Sequence, residues 1–336
     1  MRIQTGHNKG FSVIVIGIIL LFISIFTASA QSTPTDSPVE PRLTSETPST
    51  PSAETAPETT QGQPFEPFTQ SDLTIVTGDV QRPNGIVWYN NNLYTACTGD
   101  STLYEINSVS GETLTYIGGV QNAHTLYAEP NENFALDLWV PDFSSNQLLH
   151  ITRQGITRVN SDLAGPWGIA AYDDERFLIT NLFGNSLVVV TRDGEAETLL
   201  TDLSSPTGLV MDGDMFYVAN NGSTRRAIEY YDAGIVEGTA QSENNVLVSG
   251  MQNTTGLVMG GDGNLYFAFA LGTRGVVGRV DPAECREKGG CTAEDVEIVI
   301  YTELEAPLAG LTISDDMRLF VHTMFRPEIY WVQIDN

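Results

Sequence analysis

Candidate chemistry in this chain centres on a short recurrence, Pro-x-Gly followed by an apolar residue. It stands at Pro83-Asn84-Gly85-Ile86, Pro166-Trp167-Gly168-Ile169 and Pro206-Thr207-Gly208-Leu209. Looser copies are Ala123-His124-Thr125-Leu126, Thr254-Thr255-Gly256-Leu257 and Leu308-Ala309-Gly310-Leu311. The x residues are therefore Asn84, His124, Trp167, Thr207, Thr255 and Ala309. His124 is the one catalytic candidate among them, but a general base needs an orienting group and an acid or metal beside it. Trp167 offers a flat apolar surface to a ligand, or equally to the core. A divalent cation needs several oxygen ligands, some of them charged. The x residues supply one amide, Asn84, and no carboxylate, so no metal ligand set is assigned. No Ser-His-Asp arrangement, phosphate loop or paired zinc-ligand motif occurs.

The elements that position these residues are short strands. After each opening comes an apolar strand, a polar turn and a second strand: Asn92–Thr98, Leu136–Val140, Phe177–Asn181, Phe216–Asn220, Leu265–Phe269 and Leu319–Thr323. Two more strands follow each. Asp193-Gly194, Asp212-Gly213 and Asp262-Gly263 sit where hairpins must close, and such dipeptides tolerate positive φ. No long stretch of 71–336 keeps a 3.6-residue period. Aligned at the third position of each opening, the copies are 40, 43, 40, 48 and 54 residues apart. Periods of about 40–50 residues with four strands each predict propeller blades. The expected fold is all-β, a six-bladed β-propeller of four-stranded blades over 71–336. The sixth copy has three strands, and residues 73–80 precede the first. The N-terminal strand 73–80 is therefore expected to complete the last blade and close the ring.

In such a blade the loop entering the first strand and the loop joining the second to the third share one face of the disc. That face holds the expected binding residues Asn84, His124, Asp142, Trp167, Asn181, Asn220, Arg274 and His322. Loops carry function more often than strands, although Asn and Asp in turns also serve simply as caps.

The Pro-x-Gly-Ile/Leu openings and the Leu-Tyr-x-Ala second strands resemble the NHL-repeat propellers and, more broadly, the regucalcin/gluconolactonase-like superfamily. The resemblance covers roughly 71–336. It implies a propeller, and for regucalcin-like lactonases a divalent cation held in the channel by a Glu, Asn residues and an Asp from the strand starts. A streptogramin lyase in this superfamily uses a channel histidine, for which His124 stands in a comparable place. Because the six openings lack a carboxylate, the expected function is a binding module for a protein, peptide or glycan. The alternative is a divergent lactone hydrolase or lyase using a channel histidine or cation.

Charge and composition bound the setting. The chain has 336 residues and a net charge of −26, with −23 of it in residues 71–336. A nucleic-acid partner is excluded on that ground, since phosphate binding needs a basic face. Residues 1–30 carry Arg2, Lys9, no acid and an apolar run at 11–28 ending near Ala28-Ser29-Ala30. They read as an export signal, or as an uncleaved membrane anchor, so the body is expected outside the cell or at its surface. Residues 31–70 contain eight prolines and fourteen Ser/Thr and read as a disordered linker. In an exported protein the close pair Cys285 and Cys291 is expected to form a local disulfide, leaving Cys97 as a small buried side chain.

Overall fold

The computed structural model describes residues 65–334. The export-signal segment 1–30 and most of the linker lie outside the described residues. Among the described residues no helix is long and apolar enough to cross a membrane.

The described chain forms six mainly antiparallel sheets, each with four strands of one blade at its heart, as the repeat spacing predicts; in five the four follow one another along the chain but for a short excursion, and in the sixth the N-terminal strand supplies the fourth. The innermost strands are Pro83–Tyr89, Tyr127–Pro130, Pro166–Ala171, Pro206–Asp212, Gly256–Met259 and Gly310–Ile313, which define blades one to six. Among the described residues helix is confined to one six-residue segment, Pro282–Glu287, and two short 3-10 turns. Ring closure occurs as expected, over a shorter stretch. Thr74–Thr77 pairs antiparallel with Ile329–Gln333, setting Thr74 opposite Trp331 and Thr77 opposite Ile329. Val80, past the strand, is buried with Ile86 and Ile329 at the seam between blades six and one.

The linker was expected to run to residue 70, but Phe68–Thr69 already pairs in parallel with the outer strand Glu297–Glu305 of blade five. The composition around it is linker-like, yet Phe65 and Phe68 pack edge-on, 5.8 Å apart, against the apolar seam between blades five and six. Two aromatic side chains are enough to order a short segment that its neighbours would leave free.

Blade four gains a cover of the same kind. Cys285 and Cys291 are joined, and Cys291–Thr292 pairs in parallel with Val248–Ser249 of blade four. The cross-link closes a small loop, for which chain entropy gives about 2 kcal/mol. Its effect is to hold an ear from blade five against the outer edge of blade four, shielding that edge from further pairing.

The core is divided among six seams, each a cluster of apolar side chains shared by two neighbouring blades. The glycines of the openings make those seams tight. A Cβ on Gly168 would lie 2.6 Å from Thr207 O and one on Gly256 2.7 Å from Leu311 Cδ2, both on the next blade. Glycine recurs here because innermost strands of adjacent blades approach closely, not because φ demands it. Blade two departs from the pattern with Thr125, whose hydroxyl donates to Trp167 O of blade three at 2.6 Å.

Candidate functional site

The strand starts aim the x residues. Pairing between first and second strands slips at Pro83/Gly85, Pro166/Ile169 and Pro206/Leu209. A bulge of this kind redirects a side chain that regular pleating would place elsewhere. Proline tolerates the first position because it has no N–H to commit to the ladder.

At the channel mouth the rings of His124 and Trp167 stack, 3.4 Å apart and inclined by 5°. Trp167 Nε1 donates to Thr255 O of blade five at 3.0 Å, so the indole spans the mouth from blade three. Phe143 meets the two rings edge-on at 5.1 and 5.9 Å, and Phe183 leans on Phe143 at 5.1 Å. The result is an aromatic cluster of blades two and three, buried at His124 and exposed at Phe183. Phe143 and Phe183 were absent from the expected site. The aromatic position one or two residues past the second strand was the available signal, and it was masked by the polar residues beside it.

Several expected binding residues turn out to be committed to the backbone. Asp142 accepts from Gln121 N at 2.7 Å and from Ser144 N and Ser145 N at 3.1 Å. Asn181 Oδ1 accepts from Ala164 N at 3.2 Å and Asn220 Oδ1 from Ser204 N at 2.9 Å. In each case the donor lies two residues before the opening of the same blade. The equivalent position in blade one is Cys97, paired opposite Pro83. Its thiol is free and buried, and burial pushes its pKa up to about 12, which leaves it unreactive. A second set of amides links blades: Asn146 Oδ1 accepts from Gly165 N, Asn185 Oδ1 from Ser205 N, and Asn221 Oδ1 from Thr254 N, at 2.8 to 2.9 Å. Asn84 donates to Asn122 Oδ1 and keeps its own Oδ1 buried without a partner. Arg274 is exposed and donates to Glu303 O at 2.5 Å.

His322 is fully buried beside the seam of blades six and one, and neither ring nitrogen makes a well-formed hydrogen bond. Burial pushes its pKa down to about 4, against an opposing pull from the Thr323 and Pro83 backbone. Burial likewise takes His124 down to about 3. Both are neutral in the fold, whereas in the unfolded chain they take up a proton below about pH 6.5. The unfolded state therefore binds more protons as pH falls through that value, and stability is lost on acidification. Between pH 7 and pH 5 the loss is about 2 kcal/mol per histidine. Urea unfolding at the two pH values should show His322→Gln losing about 2 kcal/mol less than the parent. An unchanged pH difference in that variant excludes the buried neutral histidine as the cause.

The donors near the mouth do not fit a divalent cation. Asn84 Oδ1 and the His322 nitrogens are one neutral oxygen and two imidazole nitrogens, a poor set for a hard cation that takes several oxygens, and the Asp142 oxygens are taken by backbone N–H groups. Among the described residues no three His, Cys, Asp or Glu side chains are grouped to hold a metal. His124 makes no side-chain hydrogen bond to an acid or an orienting group, and a pKa near 3 makes a weak base at neutral pH.

The site face also carries exposed groups of two kinds. Phe183 (67% exposed) and Phe325 (51%) project from second-to-third-strand loops of blades three and six, and Leu271 (50%) from the end of the second strand of blade five. Arg82 and Arg326 on loops of blades one and six, and Arg226 and Arg274 at the starts of the third strands of blades four and five, are exposed. None of the four takes part in a salt bridge among the described residues. Elsewhere most arginines are paired, as in Arg192–Glu129 between blades three and two or Arg225–Glu229 within blade four, while Arg158 and Arg286 make no salt bridge among the described residues.

Comparison with known proteins finds no matching family model and no matching curated protein. Solved structures do match. A streptogramin B lyase aligns with TM-score 0.56 and 15% identity, covering 77% of this chain and 96% of the lyase. A gluconolactonase from Xanthomonas campestris aligns with TM-score 0.58 and 13% identity, covering 78% and 89%. A chain of a nidogen/laminin complex aligns with TM-score 0.51 and 15% identity, covering 66% and 84%. At such identities the shared property is architecture. Blade count, strand order and these alignments together make the chain a six-bladed β-propeller, the architecture it shares with streptogramin B lyase and gluconolactonase.

Proposed function

We propose that the propeller is a binding module that recognises a protein or peptide ligand through the Trp167 face, displayed outside the cell. The observation that carries this reading is the pairing on one face of exposed apolar side chains with arginines that have no acidic partner. Aromatic residues and arginine are the types enriched where proteins bind one another, and a few of them supply most of the affinity. The polar residues beneath them are spent on holding loops in place, so they give the face rigidity rather than reactivity. The structural neighbours include both enzymes and a chain from a protein–protein complex, so the fold is compatible with either use. The lone, poorly basic His124 favours binding. A glycan ligand would also stack on aromatic rings, but it would leave the four arginines without a role.

Screening the full chain on arrays of peptides and glycans tests the proposal. Peptide ligands found there should bind at least about tenfold more weakly to Phe183→Ser or Arg274→Glu, a loss of the size expected for a central interface residue. Phe134→Ser, which changes a side chain 94% exposed on the opposite face, should bind as the parent does. Equal losses in all three variants, glycans as the only ligands, or turnover of lactone substrates by the parent would each overturn it.

A further inference from the structure

Beyond the His124–Trp167 stack, toward the face away from the site, the innermost strands line a half-open cavity of about 320 Å³. All six blades contribute to it. One layer of its wall is Ile86, Leu126, Ile169, Leu209, Leu257 and Leu311, the apolar residues that follow each opening. These side chains fill the seams on one side and keep only a slight exposure on the other. Farther along the strands the wall continues with Ala171, Met211 and Val258.

The wall holds no Asp, Glu, His, Lys or Arg. Of its two threonines, Thr125 donates its hydroxyl to Trp167 O, and Thr312 Oγ1 accepts from Trp88 N at 3.0 Å. The remaining polar side chain, Tyr127, has its ring set edge-on against Phe177, 5.6 Å away. Polar contact in the cavity is thus left to strand-edge backbone. A space of this volume lies within the range of small-molecule sites, and apolar walls disfavour water while accepting a hydrophobe. We infer that the central channel binds one small hydrophobic molecule, a linear aliphatic chain or a flat aromatic, independently of the ligand of the Trp167 face. Met211 suits such a role, because an unbranched thioether adapts its shape to different occupants.

The test uses 1-aminoanthracene, which becomes fluorescent in apolar surroundings and couples covalently to adjacent residues on illumination. Titrated into the full chain, it should saturate at one molecule per propeller, and peptide mapping should place adducts on residues 125–127, 169–171 or 209–211. Decanol should displace it. Ala171→Phe and Val258→Phe, which fill the cavity from different blades, should each weaken that saturable binding at least tenfold, with adducts at those residues lost. Phe183→Ser should leave it unchanged. Adducts confined to the Trp167 face or to residues 11–28 overturn the inference. So does the absence of saturable binding, or full retention in both filled variants. Because mapping is done on the unaltered protein, it decides the question even where a filled variant does not fold.

Discussion

A chain beginning at residue 81 is expected to lose cooperative folding, whereas one beginning at residue 71 should fold with reduced stability. The first deletion removes Thr74–Thr77 and with it the outer strand of blade six. It also removes Val80, buried between the apolar side chains of blades one and six. The strand Ile329–Gln333 would then be an open edge, and the sixth seam would lose its link to the start of the chain. Folded domains are stable by only about 5–15 kcal/mol, so losing a seam and a strand together is of the order of the total. The second deletion removes Phe65 and Phe68, partly buried aromatic side chains, at a cost of about 2–3 kcal/mol. Calorimetric unfolding of the two shortened chains checks this. A transition for the chain from 81 as sharp and as high as that of the chain from 71 would show that the ring does not depend on its N-terminal strand.

Arg225→Ala should destabilise the protein by about 3 kcal/mol, although Arg225 is only partly buried. Its guanidinium meets Glu229 with both arms, at 2.5 and 2.7 Å. Glu229 is completely buried, and Asn220 Nδ2 and Tyr231 OH also donate to it, each at 2.8 Å. Removing the arginine leaves a carboxylate without its counter-ion in a medium that solvates it poorly. The remaining two donors keep the loss toward the low end of the range for broken buried pairs. Glu229→Gln in the Arg225→Ala background should recover much of it, since the uncompensated charge is then gone. Equilibrium urea unfolding of the single and double variants measures both effects. A double variant no more stable than Arg225→Ala would show that the arginine acts through packing instead of charge.

These two expectations differ in how far the sequence alone could reach them. The closing strand was legible, because a sixth repeat with three strands and an extra strand ahead of the first leave one arrangement without an open edge. The Arg225–Glu229 pair was not, since i to i+4 along a strand carries no signal of burial. Asn181 and Asn220 stood out as polar residues at strand ends facing a candidate site. Only the fold shows that each reaches back to an N–H two residues before its own opening. Phe65 and Phe68 were lost in a proline-rich context because what orders them is the seam of a blade more than two hundred residues away.

What the sequence determined by itself is the periodic part of the molecule: six repeats, four strands in each, the turns, the closure and the local disulfide. Apart from the closure, which follows from counting strands at the two ends, those features rest on interactions between neighbours in the chain and on alternation of apolar and polar residues, which a linear text records. The tertiary structure decided everything that depends on the ring being closed. It stacked His124 on Trp167 from two different blades, brought unpaired arginines and exposed phenylalanines to one face, and left an apolar channel beyond them. Those arrangements depend on bulges that re-aim single side chains and on distances between blades, neither of which spacing along the chain encodes.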